Sequence, residues 1–135
     1  MERLKIHIIK GVMYSYISFW SVAENRYNRM RVLIDTGAAV TTFSEPAIKK
    51  LGYSLGKEHN NIRTAGGIIS SHESTIPKVK IGAIEFANVE AHSNKDIGDY
   101  EIDCILGMNI LSRFKITIDF DYNLITLDER KIVNC

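Results

Sequence analysis

The chain has 135 residues and a formal net charge of +1, and 45% of its residues are hydrophobic and 24% charged. This length suits one domain, residues 1–135, with one hydrophobic core, and the composition is that of an ordinary globular protein. So small a net charge gives no electrostatic field that would gather nucleic acid or an anionic membrane, and no apolar run approaches the roughly 20 residues that span a bilayer.

The cysteines and the N-terminus predict a cytoplasmic location. Cys104 lies in an apolar run and Cys135 is the last residue, and two such cysteines cannot form a disulfide framework. Residues 1–7 mix charges among apolar positions and lack the apolar core of a signal peptide. We therefore predict free thiols and a cytoplasmic protein.

The first elements in chain order are short strands. Residues 4–10 and 12–20 are rich in β-branched and aromatic residues, and Gly11 between them predicts a bend or bulge. The polar residues 23–29 predict a turn, after which a strand returns over 29–35. The aromatic residues of the second strand resemble a nucleic-acid stacking platform, but the small surplus of positive charge favours core packing or a dimer interface.

Residues 32–44, Val-Leu-Ile-Asp-Thr-Gly-Ala-Ala-Val-Thr-Thr-Phe-Ser, are the most informative segment. An apolar strand ends on the carboxylate of Asp35, and the small residues after it allow a sharp turn before a second β-prone run. A carboxylate at the end of an apolar strand is unfavourable unless something there requires it. An isolated Asp-Thr-Gly usually means only that the Asp caps a turn, so the flanking residues carry the interpretation.

Residues 44–52 predict a short helix with recognisable ends. Ser44 can accept hydrogen bonds from the exposed N–H groups, and Pro46 is tolerated in the first turn. Two lysines fall in the last turn, and Gly52 can adopt the positive φ that ends a helix. The polar residues 53–61 that follow predict a loop.

The next segment predicts a hairpin with its tip at Ala65, Gly66 and Gly67, because a Gly-Gly pair lies between two β-prone runs. From the glycines alone, any hairpin of a β protein explains this pattern. Residues 73–80 and 84–92 predict two further strands with a turn between them, and the polar residues 94–99 predict a surface loop.

Residues 102–111, Ile-Asp-Cys-Ile-Leu-Gly-Met-Asn-Ile-Leu, predict an apolar strand that enters Gly107 and a short helix that leaves it. The buried face of that helix would carry Ile110 and Leu111. A strong hairpin is predicted from residues 115–120 and 124–127, and residues 131–134 suggest one more strand.

Other chemistries lack support in the sequence. There is no Gly-x-Ser-x-Gly elbow, phosphate loop or His-Glu-x-x-His pattern. The four histidines are scattered, and the acidic residues of 96–103 lack the glycine and bidentate glutamate of a calcium loop. We therefore predict neither a metal nor a cofactor.

Three segments in this order resemble the retropepsin-like aspartic proteases: the Asp-Thr-Gly-Ala turn, the Gly66-Gly67 hairpin, and the apolar run into Gly107 followed by Asn109. The resemblance covers residues 12–127. It implies an all-β fold, a single-lobe closed acid-protease β-barrel with one or two short helices, that is active as a two-fold homodimer. In that family the hairpin forms a flap over the substrate, and Gly107 provides room where its segment threads beneath the Asp turn. The family often has Arg where Met108 stands, so its ion pair must be absent or replaced here.

The resemblance also implies an aspartic endopeptidase that acts on protein or peptide substrates. The chain has a single Asp-Thr-Gly, so the two facing carboxylates would be Asp35 of each subunit, and like charges about 3 Å apart cannot both ionise. One Asp35 would activate a water as general base, and the other, protonated, would polarise the scissile carbonyl. Thr36 would fix the two loops across the dimer axis, and Gly37 would give the substrate backbone access. The predicted substrate-binding residues are Gly37, Ala38, Ala65, Gly66 and Gly67.

Two other classes of function fit the same residues. One is a protease-like module, catalytically weak or inactive, that binds extended peptides by strand addition. The other is a structural β-barrel dimer without a ligand. Both predict that Asp35 can be replaced without functional loss.

Overall fold

The computed structural model of the chain describes residues 1–54, 56, 58–64, 67–97 and 101–130, with the backbone alone at 58–64 and 67–70. Within these residues the chain forms eleven strands and two short helices. In chain order they are β1 (Glu2–Lys5), β2 (His7–Ile9), β3 (Val12–Ser21), β4 (Arg26–Ile34), β5 (Thr41–Ser44), α1 (Glu45–Leu51), β6 (Glu58–Thr64), β7 (Gly67–Ile81), β8 (Ile84–Asn94), β9 (Cys104–Leu106), α2 (Met108–Leu111), β10 (Phe114–Asp119) and β11 (Leu124–Glu129).

Six strands close into a barrel. They follow one another as β3, β4, β9, β5, β8 and β7, and the barrel closes where β7 pairs back onto β3 at Phe19 and Val79. Inward-facing residues from all six strands fill it, and the rings of Phe19 and Phe43 meet edge to face with centroids 4.8 Å apart. The predicted all-β barrel with two short helices is therefore confirmed.

A second, smaller sheet has the order β1, β11, β10. It is joined to the barrel at Ile6, which is fully buried and whose N–H donates to the carbonyl of Asn123 at 2.9 Å. The chain changes sheets at this residue, since β1 pairs with β11 and β2 pairs with β3. The predicted single strand over 4–10 was therefore wrong, and two strands stand in its place.

Helix α1 has the predicted ends. The Ser44 hydroxyl accepts from the N–H of Ala47 at 3.2 Å, and Gly52 follows the last turn with φ of 91°. A Cβ atom at Gly52 would stand 2.8 Å from the backbone nitrogen of Ala23, so a side chain there would be both strained and crowded. The helix packs its apolar face, with Ile48 and Leu51 fully buried, against the barrel.

Two other predicted boundaries were wrong, and both errors fall where polar residues belong to strands. The predicted turn over 23–29 is shorter, because β3 and β4 continue pairing as far as Ser21 and Arg26. The predicted loop over 53–61 overlaps β6, which begins at Glu58 and pairs with β7. A ladder of backbone hydrogen bonds to an existing strand needs no apolar alternation in the residues that join it. The predicted strand at 131–134 lies outside the described residues.

Candidate active site

Asp35 lies immediately after β4, at a point fixed by parallel pairing with β9. Leu33 is opposite Ile105 and Ile34 is opposite Leu106, and the N–H of Asp35 donates to the carbonyl of Leu106 at 3.2 Å. The apolar residues of β4 draw the strand into the sheet, and the ladder then sets where the backbone of Asp35 leaves it. The carboxylate is thus held at the end of a rigid element.

The turn after Asp35 is closed by the aspartate itself. Its Oδ1 accepts from the N–H of Gly37 at 2.8 Å, and its carbonyl accepts from the N–H of Ala38 at 3.3 Å. A Cβ atom at Gly37 would stand 3.1 Å from that Oδ1, so glycine lets the backbone N–H approach the carboxylate. Asp35 and Ala38 are half-buried, whereas Thr36 and Gly37 are exposed. One short turn therefore carries the four predicted site residues that follow β4.

Helix α2 supports this turn from below. The N–H of Met108 donates to the carbonyl of Ala38 at 2.7 Å, and the N–H of Asn109 donates to that of Ala39 at 3.1 Å. Two N–H groups at the start of the helix, which have no acceptor within the helix, thus donate to two carbonyls of the turn. The predicted passage of this segment beneath the Asp turn is confirmed.

Asn109 and Thr41 tie the turn to the barrel. The side-chain Oδ1 of Asn109 accepts from both the N–H and the hydroxyl of Thr41, at 2.9 and 2.8 Å. Its Nδ2 donates to the carbonyl of Glu90 at 2.7 Å, and the hydroxyl of Thr41 accepts from the N–H of Gly107 at 3.2 Å. Sequence reasoning noted Asn109 only as part of a motif and missed Thr41. The one signal for Thr41 was its place at the start of the β-prone run after the turn.

Gly67, another predicted substrate residue, lies on a different pair of strands. Gly67 begins β7 and is opposite Thr64 of β6, and Ala65 and Gly66 are outside the described residues. Among the described residues no hydrogen bond links Gly67 to the Asp35 turn. The structure thus brings Asp35, Gly37 and Ala38 together and places Gly67 on a separate element.

An open cleft of ≈ 350 Å³ borders Asp35. Its wall is apolar and is formed by Ile8, Val12, Met13, Leu33, Ile34 and Phe120. A concave apolar site beside a single ionisable group has the composition of a ligand pocket. This cleft was not predicted, because its residues come from three separate segments of the chain.

The described part of the chain contains no group of three or more His, Cys, Asp or Glu residues placed to hold a metal ion. None of the helices in this part of the chain is long and apolar enough to cross a membrane.

Comparison with known proteins agrees with this geometry. The sequence model of the family described as "gag-polyprotein putative aspartyl protease" matches residues 22–113. No curated protein matches the sequence.

Among solved structures, the chain is similar to a retropepsin-like aspartic protease from Rickettsia conorii, with 28% identity, a TM-score of 0.64, and 93% of this chain and 88% of that one covered. It is also similar to the EIAV protease in complex with the inhibitor HBY-793, with 17% identity, a TM-score of 0.54, and coverage of 78% and 90%. A third similar structure is the retroviral protease-like domain of Ddi1 from Leishmania major, with 15% identity, a TM-score of 0.53, and coverage of 84% and 86%. At these low identities, the last two similarities support the fold and nothing more. With most of its length matched by the family model, the chain belongs to the gag-polyprotein aspartyl protease family and has the retropepsin-like fold.

Proposed function

We propose that this protein is an aspartic endopeptidase that hydrolyses peptide bonds as a homodimer. The observation that carries the proposal is the placement of Asp35. Its backbone is fixed by β9, its Oδ1 is held by the N–H of Gly37, and its side chain borders an apolar cleft. Membership of an aspartyl protease family and the likeness to the Rickettsia enzyme support the same conclusion.

The homodimer follows from the number of aspartates. The chemistry needs two facing carboxylates, and the chain has one Asp-Thr-Gly. Thr36, Gly37 and Ala39 are exposed at the top of the turn, which leaves this surface free to meet a second copy across a two-fold axis. In such a dimer Thr36 would hold the two turns together.

The paired aspartates would share one proton. The ionised Asp35 takes a proton from a water whose oxygen attacks the scissile carbonyl carbon, while the protonated Asp35 gives its proton to the carbonyl oxygen. The tetrahedral intermediate then returns one hydroxyl proton to a carboxylate, the amine nitrogen receives a proton from the other carboxyl, and the C–N bond breaks. The pair ends singly protonated, ready for another water. Gly37 and Ala38 would contact the substrate backbone from below, and Ala65, Gly66 and Gly67 would contact it from above. No metal or cofactor takes part in this scheme.

The proposed location is the cytoplasm. Cys104 is a free, fully buried thiol, which fits a reducing compartment.

Replacing Asp35 by Asn tests the proposal. The change preserves the shape of the side chain and its hydrogen bond from Gly37, but it removes the ionisable group. We expect loss of peptide cleavage with retention of the circular dichroism spectrum and the unfolding temperature. Asp96→Asn is the matched control, because Asp96 is an exposed aspartate on another turn. Cleavage by the Asp35→Asn protein at the wild-type rate would refute the mechanism.

One observation favours a second candidate, a peptide-binding protein without catalysis. The Oδ1 of Asp35 closes its own turn through Gly37, so the aspartate has a structural role that needs no chemistry. For such a protein the Asp35→Asn change would leave peptide affinity and biological activity intact, and the wild type would cleave no peptide.

A further inference from the structure

Four aromatic and four basic side chains share the outer face of the barrel where β4, β3 and β7 lie side by side. The rings are those of Tyr14, Tyr16, Trp20 and Tyr27, and the cations are those of Arg29, Arg31, Lys78 and Lys80. Their neighbours in sequence, such as Phe19, Val32 and Val79, point into the core. We call these eight side chains the aromatic-basic face. The net charge of +1 conceals it, because β3 and β4 contain three arginines and no acidic residue.

Each cation of the aromatic-basic face lies over one of the rings. The distances from the charged group to the ring centre are 4.2 Å for Arg29 over Tyr16, 4.5 Å for Arg31 over Tyr14, 4.5 Å for Lys78 over Trp20 and 5.8 Å for Lys80 over Tyr27. Such contacts hold a long side chain in place without neutralising its charge. The face therefore presents charges that lose little freedom when a ligand binds.

Three of the four cations, Arg29, Lys78 and Lys80, form no ion pair with any residue that the structure describes. The fourth, Arg31, lies 3.8 Å from the carboxylate of Glu101, whose side chain is 91% exposed. The buried Nε of Arg31 has no acceptor among the described residues. An anion that reaches this face is thus attracted by charges that the rest of the described chain leaves almost uncompensated.

The spacing of the cations matches that of an extended polypeptide. Arg29 and Arg31 are alternate residues of β4, so they lie about 7 Å apart along the strand. Lys78 and Lys80 have the same relation on β7. Ser18 of β3 is opposite both Arg29 and Lys80, so the two pairs of cations flank β3 from either side. Acidic side chains at alternate positions of an extended segment would have the same spacing as either pair.

The rings favour an acidic polypeptide over single-stranded nucleic acid. Bases bind aromatic platforms by stacking on open ring faces, whereas each ring here already has a cation over one face. The rings of His7 and Tyr27 also meet those of Tyr16 and Trp20 edge to face, with interplanar angles of 81° and 85°. Carboxylates need no open ring, because they accept from the N–H groups of guanidinium and ammonium ions. One carboxylate of the chain, that of Glu85, already accepts from the hydroxyl of Tyr27 at this face.

We propose that the aromatic-basic face binds an extended acidic segment of another protein, with Asp or Glu side chains at alternate positions. The carboxylates of that segment accept from the arginines of β4 and the lysines of β7, and the rings between them form an apolar floor. No residue of the face lines the cleft beside Asp35. The interaction is therefore separate from the proposed cleavage of peptides.

The test is a fluorescence titration, since Trp20 is the only tryptophan of the chain and lies within the face. The protein carries Asp35→Asn, so that the ligand is not cleaved. The ligand is a peptide of about twelve residues with Glu at alternate positions, and the control peptide has Gln in their place. We expect the Glu peptide to change the Trp20 emission to saturation and to bind more weakly as salt is raised, and the Gln peptide to have no effect.

Two double variants locate the binding. Arg29→Gln with Lys80→Gln removes two charges from the face, and we expect the dissociation constant of the Glu peptide to rise about tenfold. Lys49→Gln with Lys115→Gln is the matched control, because it removes two exposed charges from α1 and β10. We expect the control to bind like the parent protein, and circular dichroism checks that both variants are folded.

Three results would overturn the inference. An emission that the Glu peptide leaves unchanged, with no binding by calorimetry, removes the site. Equal weakening in the two double variants assigns the binding to net charge rather than to this face. Tighter binding of an oligothymidylate than of the Glu peptide assigns the face to nucleic acid instead of an acidic polypeptide. Since binding alone is measured, none of these results depends on whether the protein is a peptidase.

Discussion

Gly107 lies against the backbone of Val40 so closely that a Cβ atom at position 107 would stand 2.6 Å from the Val40 carbonyl carbon. The same atom would be 2.8 Å from the backbone nitrogen of Thr41. These neighbours are main-chain atoms of the segment that returns from the Asp35 turn into β5, so they cannot move aside alone. The absence of a side chain at Gly107 is thus what lets α2 sit directly beneath the turn.

We expect Gly107→Ala to destabilise the protein by about 1–3 kcal/mol, because the methyl group forces two backbone segments apart. Gly37→Ala is the comparison, since its Cβ would meet only the Oδ1 of Asp35, at 3.1 Å. Urea unfolding of both variants measures the difference in stability. Equal midpoints for Gly107→Ala and the wild type would show that the crossing is not tightly packed.

A second prediction concerns Asn109. The N–H of Thr41, a residue with 0% exposure, would lose its acceptor in Asn109→Ala and remain buried without a partner. We expect the variant to lose about 2–3 kcal/mol of unfolding free energy. Asn109→Asp retains the one oxygen that accepts both bonds from Thr41, but a second oxygen replaces the donor to the Glu90 carbonyl. Its midpoint in urea should therefore lie between those of Asn109→Ala and the wild type. The reverse order would contradict the assigned roles of Oδ1 and Nδ2.

The parts of the fold that the sequence predicted well depend on local signals. Ser44, Pro46 and Gly52 each act within one turn of α1, so their residue types fix the ends of the helix wherever the barrel places it. The Asp35 turn is similar, because its hydrogen bonds join residues two and three positions apart. Such patterns can be interpreted without knowledge of the tertiary structure.

The parts that the sequence did not predict depend on distant pairing. The start of β4 at Arg26 is set by its partner Ser21 across a tight turn, and the mostly polar residues with which β4 begins give no strand signal. The cleft beside Asp35 is harder still to predict, because Ile8 and Phe120 line it from positions more than 100 residues apart in the sequence. The hydrophobic pattern within each of these two segments does not predict that they lie close together.

Cys104 provides a third prediction. It lies on β9 facing the barrel core, and burial, with the nearby Asp103 carboxylate, raises the pKa of its thiol well above the ordinary value. A raised pKa leaves less thiolate at pH 8, and only the thiolate reacts with disulfide reagents. In a Cys135→Ser variant, which isolates Cys104, we expect native labelling by Ellman's reagent to be roughly 100-fold slower than labelling in urea. Rapid labelling of the native variant would mean that this part of the barrel opens easily.

The last prediction separates a shared site from an independent one by subunit mixing. When wild-type and Asp35→Asn chains are mixed in equal amounts and allowed to exchange, random pairing leaves about one quarter of the dimers with two aspartates. A mixed dimer has no second carboxyl to share the proton, so activity should fall to about one quarter of that of the same total amount of wild type. Mixing with Asp96→Asn, which alters an exposed turn away from the site, should leave activity unchanged. A fall to one half, in proportion to the wild-type chains present, would show that each chain works alone, and the paired-aspartate mechanism would then be wrong.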